Sequence, residues 1–185
     1  MYPIVRLAWQ MFRHRNDGPL ALTGEHISHH ICWPWDIDPW RELNNGRTLT
    51  LYDLGRMSAG RRVGLMPILK SRGWGLTVAG SSVRYRRRVR VFDRIEMRTR
   101  SVGWDDRFVY MVQSMWVRGN CTSEALLRTA VTSPEGIVAP DRLAEVLGVA
   151  GGSPPLPGWV AAWIAAEGER PWPPEPAPPV APGPA

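Results

Sequence analysis

Polar and apolar positions change period several times along this chain of 185 residues, and each change marks an element. Near the start, Ile4, Leu7, Ala8 and Met11 share one helical face, with Arg6, Arg13 and Arg15 around it. Residues 24–35 alternate, with Ile27, His29, Ile31, Trp33 and Trp35 on one side, which reads as a strand over 25–34 that Pro34 and Pro39 break into a loop. Asn44 suits the N-cap of a helix over 45–61, along which Leu49, Tyr52, Leu54 and Met57 recur at helical spacing. A further helical turn is expected over 65–71. Period two returns from Trp74 to Val91 as one long strand, with Gly75 and Gly80 suggesting a bulge. Its second half sets Val83, Tyr85, Val89 and Val91 against Arg84, Arg86, Arg88 and Arg90. Strands over 94–103, 107–118 and 121–132 follow, joined by turns at Asp105-Asp106 and Gly119-Asn120. Pro140 opens a short helix over 140–147.

From Gly151 the composition turns to Gly, Ser, Pro and Ala, interrupted by 158–167, where Trp159, Val160, Trp163 and Ile164 share a helical face. Residues 169–185 are mostly Pro and are expected to be disordered or polyproline-like. The organisation read from this is a basic amphipathic segment over 1–19, one domain over 20–150 and a Pro-rich tail over 151–185. A strand, a long helix and then antiparallel strands argue for an α+β domain, one sheet wrapped around one helix.

Composition adds a formal charge of +6 that rests on 22 Arg and a single Lys. Such a surface suits nucleic acid, or a phosphorylated group such as coenzyme A, because guanidinium forks match phosphate. The run from Arg84 to Arg90 has only Tyr85 and Phe92 as aromatic neighbours, which argues against nucleic acid and for a solvated face or a phosphate contact. Cys32 and Cys121 lie far apart with no CxxC spacing, as in a reduced, cytoplasmic chain. His26, His29 and His30 alternate across a strand and lack any metal-ligand spacing, so no metal is expected. The N-terminal apolar stretch is far shorter than the ~20 residues that span a bilayer, and no cleavage site follows it. It suits a helix in weak contact with a membrane surface, or one docked on its own domain or on a partner subunit.

The chemistry concentrates between Trp35 and Arg62. Asp36 and Asp38 end the first strand and Asn44-Asn45 open the helix, which aims a carboxylate and a helix N-terminus at one small volume. A free N–H at such a terminus can stabilise an oxyanion, and a carboxylate can act as base or nucleophile. Asp36, Asp38, Asn44, Asn45, Asp53 and Arg56 match, without a gap, the D-x-D…N-N…acid…A-R pattern of a known group. In that respect the segment resembles the 4-hydroxybenzoyl-CoA thioesterase-like branch of the hot-dog superfamily. Ser82 to Arg86 is similar to that group's Y-x-R strand motif, and the likeness extends over about residues 24 to 145. The wording H-H-x-C-W-P-W-D-I-D is similar, more narrowly, to thioesterase-superfamily-member-6-like proteins.

The resemblance implies a hot-dog fold, in which a curled antiparallel sheet wraps a central helix, and a homodimer or homotetramer with paired sites. It implies hydrolysis of an acyl-CoA to a carboxylic acid and coenzyme A, with Asp38 as base or nucleophile and the Asn45 N–H as oxyanion donor. No cofactor is called for, because coenzyme A is part of the substrate. Asn44, Thr48, Asp53, Tyr85, Arg86 and Arg88 are the expected substrate-binding positions, and Asp36 the expected loop-orienting residue. The chain departs from the group where Gly-His is replaced by Arg41-Glu42 and an aromatic by Thr48. Glu42 is therefore a further acid–base candidate, and a non-catalytic acyl-thioester binder is the alternative. A dehydratase would need a His on the central helix, where this chain has none. Asp53 is a reserve carboxylate, with an Asp53–Arg56 helical ion pair as its simpler role.

Overall fold

The computed structural model of the chain describes residues 2–176. Two compact units divide it, residues 1–155 and 156–185. In the first unit α1 (Ile4–Arg13) precedes β1 (His26–Ile31), a short 3₁₀ turn over Pro34–Asp36, then α2 (Asn45–Arg62) and α3 (Leu65–Arg72). The strands β2 (Gly75–Tyr85), β3 (Arg94–Trp104), β4 (Val109–Val117), β5 (Asn120–Ser133) and β6 (Gly136–Val138) follow, then α4 (Pro140–Val146). They form one antiparallel sheet in the order β1-β3-β4-β5-β2, with β6 added to β5. The second unit contains α5 (Gly158–Glu169). The expectation for the Pro-rich tail falls in part on residues 177–185, outside the described residues.

The long helix begins where its cap places it. Asn44 is extended, and its side chain accepts from the N–H groups of Gly46 and Arg47. The buried face of α2 keeps Tyr52 and Leu54 of the stripe that spacing suggested but is otherwise rotated from it. Leu49 is exposed, whereas Thr48, Leu51, Tyr52, Gly55, Ser58 and Ala59 are buried. Small residues dominate that face because the sheet lies close: a Cβ at Gly55 would stand 2.5 Å from Met97 Sδ. Leu51, Tyr52 and Leu54 pack with Ile95, Met97, Met115 and Leu127 in the main core. A second cluster joins Trp104, Val131 and Leu143 with Leu65, Leu69 and Leu147.

The alternation of β3 holds, with Ile95, Met97 and Thr99 buried, and the expected bulge in β2 shifts register between Val78 and Gly80. Three readings need correction. In β1 the buried residues are His26, Ser28 and His30, while Ile27 and His29 face outward. The strand lies at the sheet edge, where Gln10 of α1 donates to the His29 carbonyl and Arg6 to that of Ile31. The strand over 74–91 ends at Tyr85, because the N–H groups of Arg86 and Arg87 both turn onto the Thr122 carbonyl. Arg86, Arg88 and Arg90 therefore sit on an exposed loop, not on a strand face, and Val89 of that loop is buried in the core. The β4–β5 hairpin turns on Arg118-Gly119, both at positive φ, one residue earlier than expected. Among the described residues no helix is long and apolar enough to cross a membrane.

Candidate functional site

The loop before α2 is locked by its own residues. Asp38 Oδ1 accepts from the N–H groups of Trp40 (2.9 Å) and Glu42 (3.3 Å), while the Arg41 N–H bonds the Asp38 carbonyl and the Asp38 N–H that of Glu42. Asp at the first position and Pro39 at the second are the residues such a turn favours. Its fourth position, which favours Gly, is held by Arg41 at φ 61°. This is also where the resembled group carries glycine. Asp36 is buried beneath the loop, ion-paired to Arg6 at 2.7 Å and Arg47 at 3.2 Å, with its backbone carbonyl holding the Asn44 N–H. It ties α1, the loop and the first turn of α2 together.

At that first turn the cap leaves one donor over. Asn44 Oδ1 takes the Gly46 and Arg47 N–H groups at 2.9 and 3.2 Å, and the Asn44 carbonyl takes the Thr48 N–H and Oγ1–H. The Asn45 N–H has no acceptor among the described residues, and the helix dipole adds partial positive charge there. Asn45 lines a cleft of about 200 Å³. Glu42, Asn45, Thr48, Tyr85, Arg86 and Arg88 all line this cleft, so six of the expected positions meet. Arg88 Nε lies 3.0 Å from Glu42 Oε2, which links the loop before α2 to the loop after β2. Burial pushes the Tyr85 phenol above its ordinary value.

Asp38, Asn44 and Asp53 do not line the cleft. Asp38 is half-buried in its turn, and its Oδ2 has no hydrogen-bond partner among the described residues. Asn44 is the cap. Asp53 forms the expected helical ion pair with Arg56 (2.8 Å) and also accepts from the Tyr2 hydroxyl at 2.6 Å. Arg56 extends this network to Gln113, which donates in turn to the Tyr52 carbonyl and to Thr99. Asp53 and Arg56 border a second, mainly apolar cavity of about 450 Å³ with Met57, Leu65, Leu69, Leu76, Val78 and Met111 among its walls. Thus α2 presents its N-terminus to a polar cleft and its later turns to an apolar cavity.

Of the other polar members of the cleft, Arg87 belongs to the arginine run, whereas Ser123 carries no signal in the local sequence. Ser123 faces Tyr85 across the β2–β5 ladder, and its Oγ lies 2.9 Å from the hydroxyl of Tyr52. Finding it would have required knowing that register. Outside the site, His14, Asp17 and His26 bring ligand atoms within 4.8 Å of one another. The Arg62 guanidinium donates to His26 Nδ1 at 3.1 Å, which puts the proton of the neutral ring on Nε2 and leaves that ring no lone pair for a cation.

The antiparallel sheet curled on a long helix is a hot-dog fold. Among solved structures it is similar to a thioesterase from Thermus thermophilus complexed with coenzyme A and Zn, with TM-score 0.56, 18% identity and coverage of 66% of this chain and 93% of that one. The model of the Thioesterase-like superfamily matches residues 32–164, and the chain belongs to that family. Relatives include Protein THEM6 of Drosophila melanogaster, 30% identical over 138 residues, with 68% of this chain and 72% of that protein covered. Protein THEM6 of Xenopus laevis is 37% identical over 92 residues, half of this chain, and the match spans 44% of that protein's length.

Proposed function

We propose that the protein hydrolyses an acyl-CoA to a carboxylic acid and coenzyme A. The observation that carries this reading is that Asn45, whose N–H has no acceptor among the described residues, lines one cleft with Glu42 and the arginines of 86–88. Water adds to the thioester carbon as a carboxylate takes its proton. The Asn45 N–H receives the developing oxyanion, and collapse breaks the C–S bond to release the thiol. Asp38 is assigned as base, or as nucleophile with water entering in a second step, and Glu42 is the carboxylate nearest to hand within the cleft. Arg86 and Arg88 suit the phosphates of coenzyme A, and the apolar cavity along α2 suits the acyl group. A second copy is expected to cover β2, an eleven-residue edge strand with Leu76, Val78 and Tyr85 exposed, giving a homodimer or homotetramer. The cytoplasm is the compartment assigned, in keeping with two free cysteines.

A second reading, a non-catalytic acyl-thioester binder, is favoured by one observation. Glu42 is occupied by Arg88 and Asp38 Oδ1 by two backbone donors. Thiol release from a panel of acyl-CoAs separates the two. Turnover should fall by about 10²–10⁴ in Asp38→Asn and only a few-fold in Glu42→Gln. Replacing Arg86 and Arg88 with Ala should raise KM for acyl-CoA and leave an acyl-pantetheine unaffected. Tight acyl-CoA binding with no thiol release from any ester would establish the second reading. Full activity in Asp38→Asn would move the chemistry to Glu42 or Asp53.

A further inference from the structure

The helix α1 is mounted inside out. Three polar side chains of the helix and its C-cap turn inward: Arg6 bonds Asp36 and the Ile31 carbonyl, Gln10 donates to the His29 carbonyl at 2.9 Å, and the buried C-cap His14 pairs with Asp17. Leu7 packs against the main core, but four large apolar side chains face outward, with Ile4 70%, Val5 82%, Trp9 57% and Phe12 54% exposed. Exposing four large apolar groups on ten residues is unfavourable in water, and the hydrogen bonds of the opposite face hold them there. Beside this stripe lies a cleft of about 340 Å³ with Trp9, Trp33, Arg13 and Arg94 among its walls. Neither arginine has an ion-pair partner among the described residues. Trp33 continues the aromatic surface, stacked on Trp35 at 5.4 Å and edge-on to Phe92 at 6.2 Å, both more than half exposed. Residues 1–16 contain no Asp or Glu and three Arg.

We infer that this face docks on the surface of an anionic phospholipid bilayer. The outer residues of α1 insert among the acyl chains near the headgroups, and Arg13 and Arg94 take a lipid phosphate between Trp9 and Trp33. An apolar stripe with Trp and Phe, bordered by Arg and free of acids, has the composition of an interfacial helix. The charge is complementary to anionic lipid and to no acidic surface elsewhere on the helix. A second copy of the chain is a poorer occupant. Ten helical residues make a footprint about 15 Å long and 10–12 Å wide, under roughly 200 Å², against about 800 Å² per partner in a stable interface. Contact is peripheral, since no described helix can cross the membrane. The inference does not depend on the hydrolytic reading.

Flotation of the full chain with phosphatidylcholine vesicles, with and without phosphatidylglycerol, tests it. The protein should float with the anionic vesicles at low salt and sink at high salt. Val5→Glu with Trp9→Glu should abolish flotation, and Arg13→Gln with Arg94→Gln should weaken it about thirty-fold. All four side chains are exposed, so circular dichroism and the melting temperature should stay unchanged in both variants. Wild-type protein that stays at the bottom with both vesicles overturns the inference, as does flotation indifferent to Val5→Glu with Trp9→Glu. A drop from dimer to monomer in that variant, without wild-type flotation, would assign the face to a second copy.

Discussion

Asp36 and Asp38 lie two residues apart in one motif, and replacing each with alanine should have very different consequences. The Asp36 side chain is 1% exposed, its Oδ2 accepting from Arg6 Nη1 at 2.7 Å and the Trp33 N–H at 3.1 Å, its Oδ1 from Arg47 Nε at 3.2 Å. Removing the carboxylate takes away the ion pairs it makes with Arg6 and Arg47 and with them the tie between α1 and the start of α2. Breaking a buried ion pair costs about 3–5 kcal/mol, and the lower figure fits here because Arg6 and Arg47 retain 17% and 27% exposure. At about 2–4 °C per kcal/mol for a chain of this size, 3 kcal/mol is roughly 6–12 °C in melting temperature. Asp38→Ala loses two backbone bonds from a half-buried carboxylate, one of them 3.3 Å long. That amounts to about 1 kcal/mol, or roughly 2–4 °C. Thermal and urea melts of the three proteins, followed by circular dichroism, measure both. The assignment of Asp36 as the structural carboxylate fails if Asp36→Ala melts within about 1 kcal/mol of wild type, or if Asp38→Ala costs as much.

Acid should destabilise the fold well above the usual carboxylate range. Burial lowers His30 to about 3 and His26 to about 4, with nearby positive charge adding to the shift. Unfolded histidines titrate near 6.5, so these groups contribute stability that is full above pH 6.5 and is lost as pH falls toward 4. His30 alone accounts for up to about 1.4 kcal/mol per pH unit. Melting temperatures from pH 7 to pH 4.5 should fall more gently in His30→Gln, which does not titrate, and identical slopes would exclude the histidine origin. Arg41→Gly should raise stability by up to about 1 kcal/mol, since Arg41 sits at φ 61° where a side chain is strained and glycine is not. A lower urea midpoint for Arg41→Gly would mean that contacts of the Arg41 side chain outweigh that strain.

Much of the architecture is local in origin and could be read directly. The Asn44 cap, the start of α2, the β3 alternation, the β2 bulge and Pro140 at the start of α4 each depend on a few neighbouring residues. The part of the site formed by Glu42, Asn45 and Thr48 belongs to this class, since one loop and one helical turn supply all three. Tyr85 and Arg86 join them through the strand motif, although only Tyr85 lies on the strand and Arg86 begins the loop after it.

What periodicity cannot supply is the identity of the surface that an amphipathic element faces. Alternation in β1 defines two faces, but the edge position and the hydrogen bonds from α1 decided that His26, Ser28 and His30 turn inward. In α1 the spacing marks a stripe of Ile4, Leu7, Ala8 and Met11, yet the bonds of Arg6 and Gln10 to Asp36 and the β1 carbonyls rotate the helix so that Leu7 packs on the core while Ile4, Val5, Trp9 and Phe12 stay outside. The arginine run keeps period two in sequence, but burial of Val89 and two N–H groups on the Thr122 carbonyl bend it out of the sheet. Ser123 enters the cleft only through the β2–β5 register, and Asp53 meets Tyr2 across fifty-one positions of chain. Short-range sterics and capping are encoded within a turn or two, so the sequence by itself determined the elements and their ends. Which face is buried depends on desolvation and hydrogen bonding summed over distant partners, and that only the tertiary structure decided.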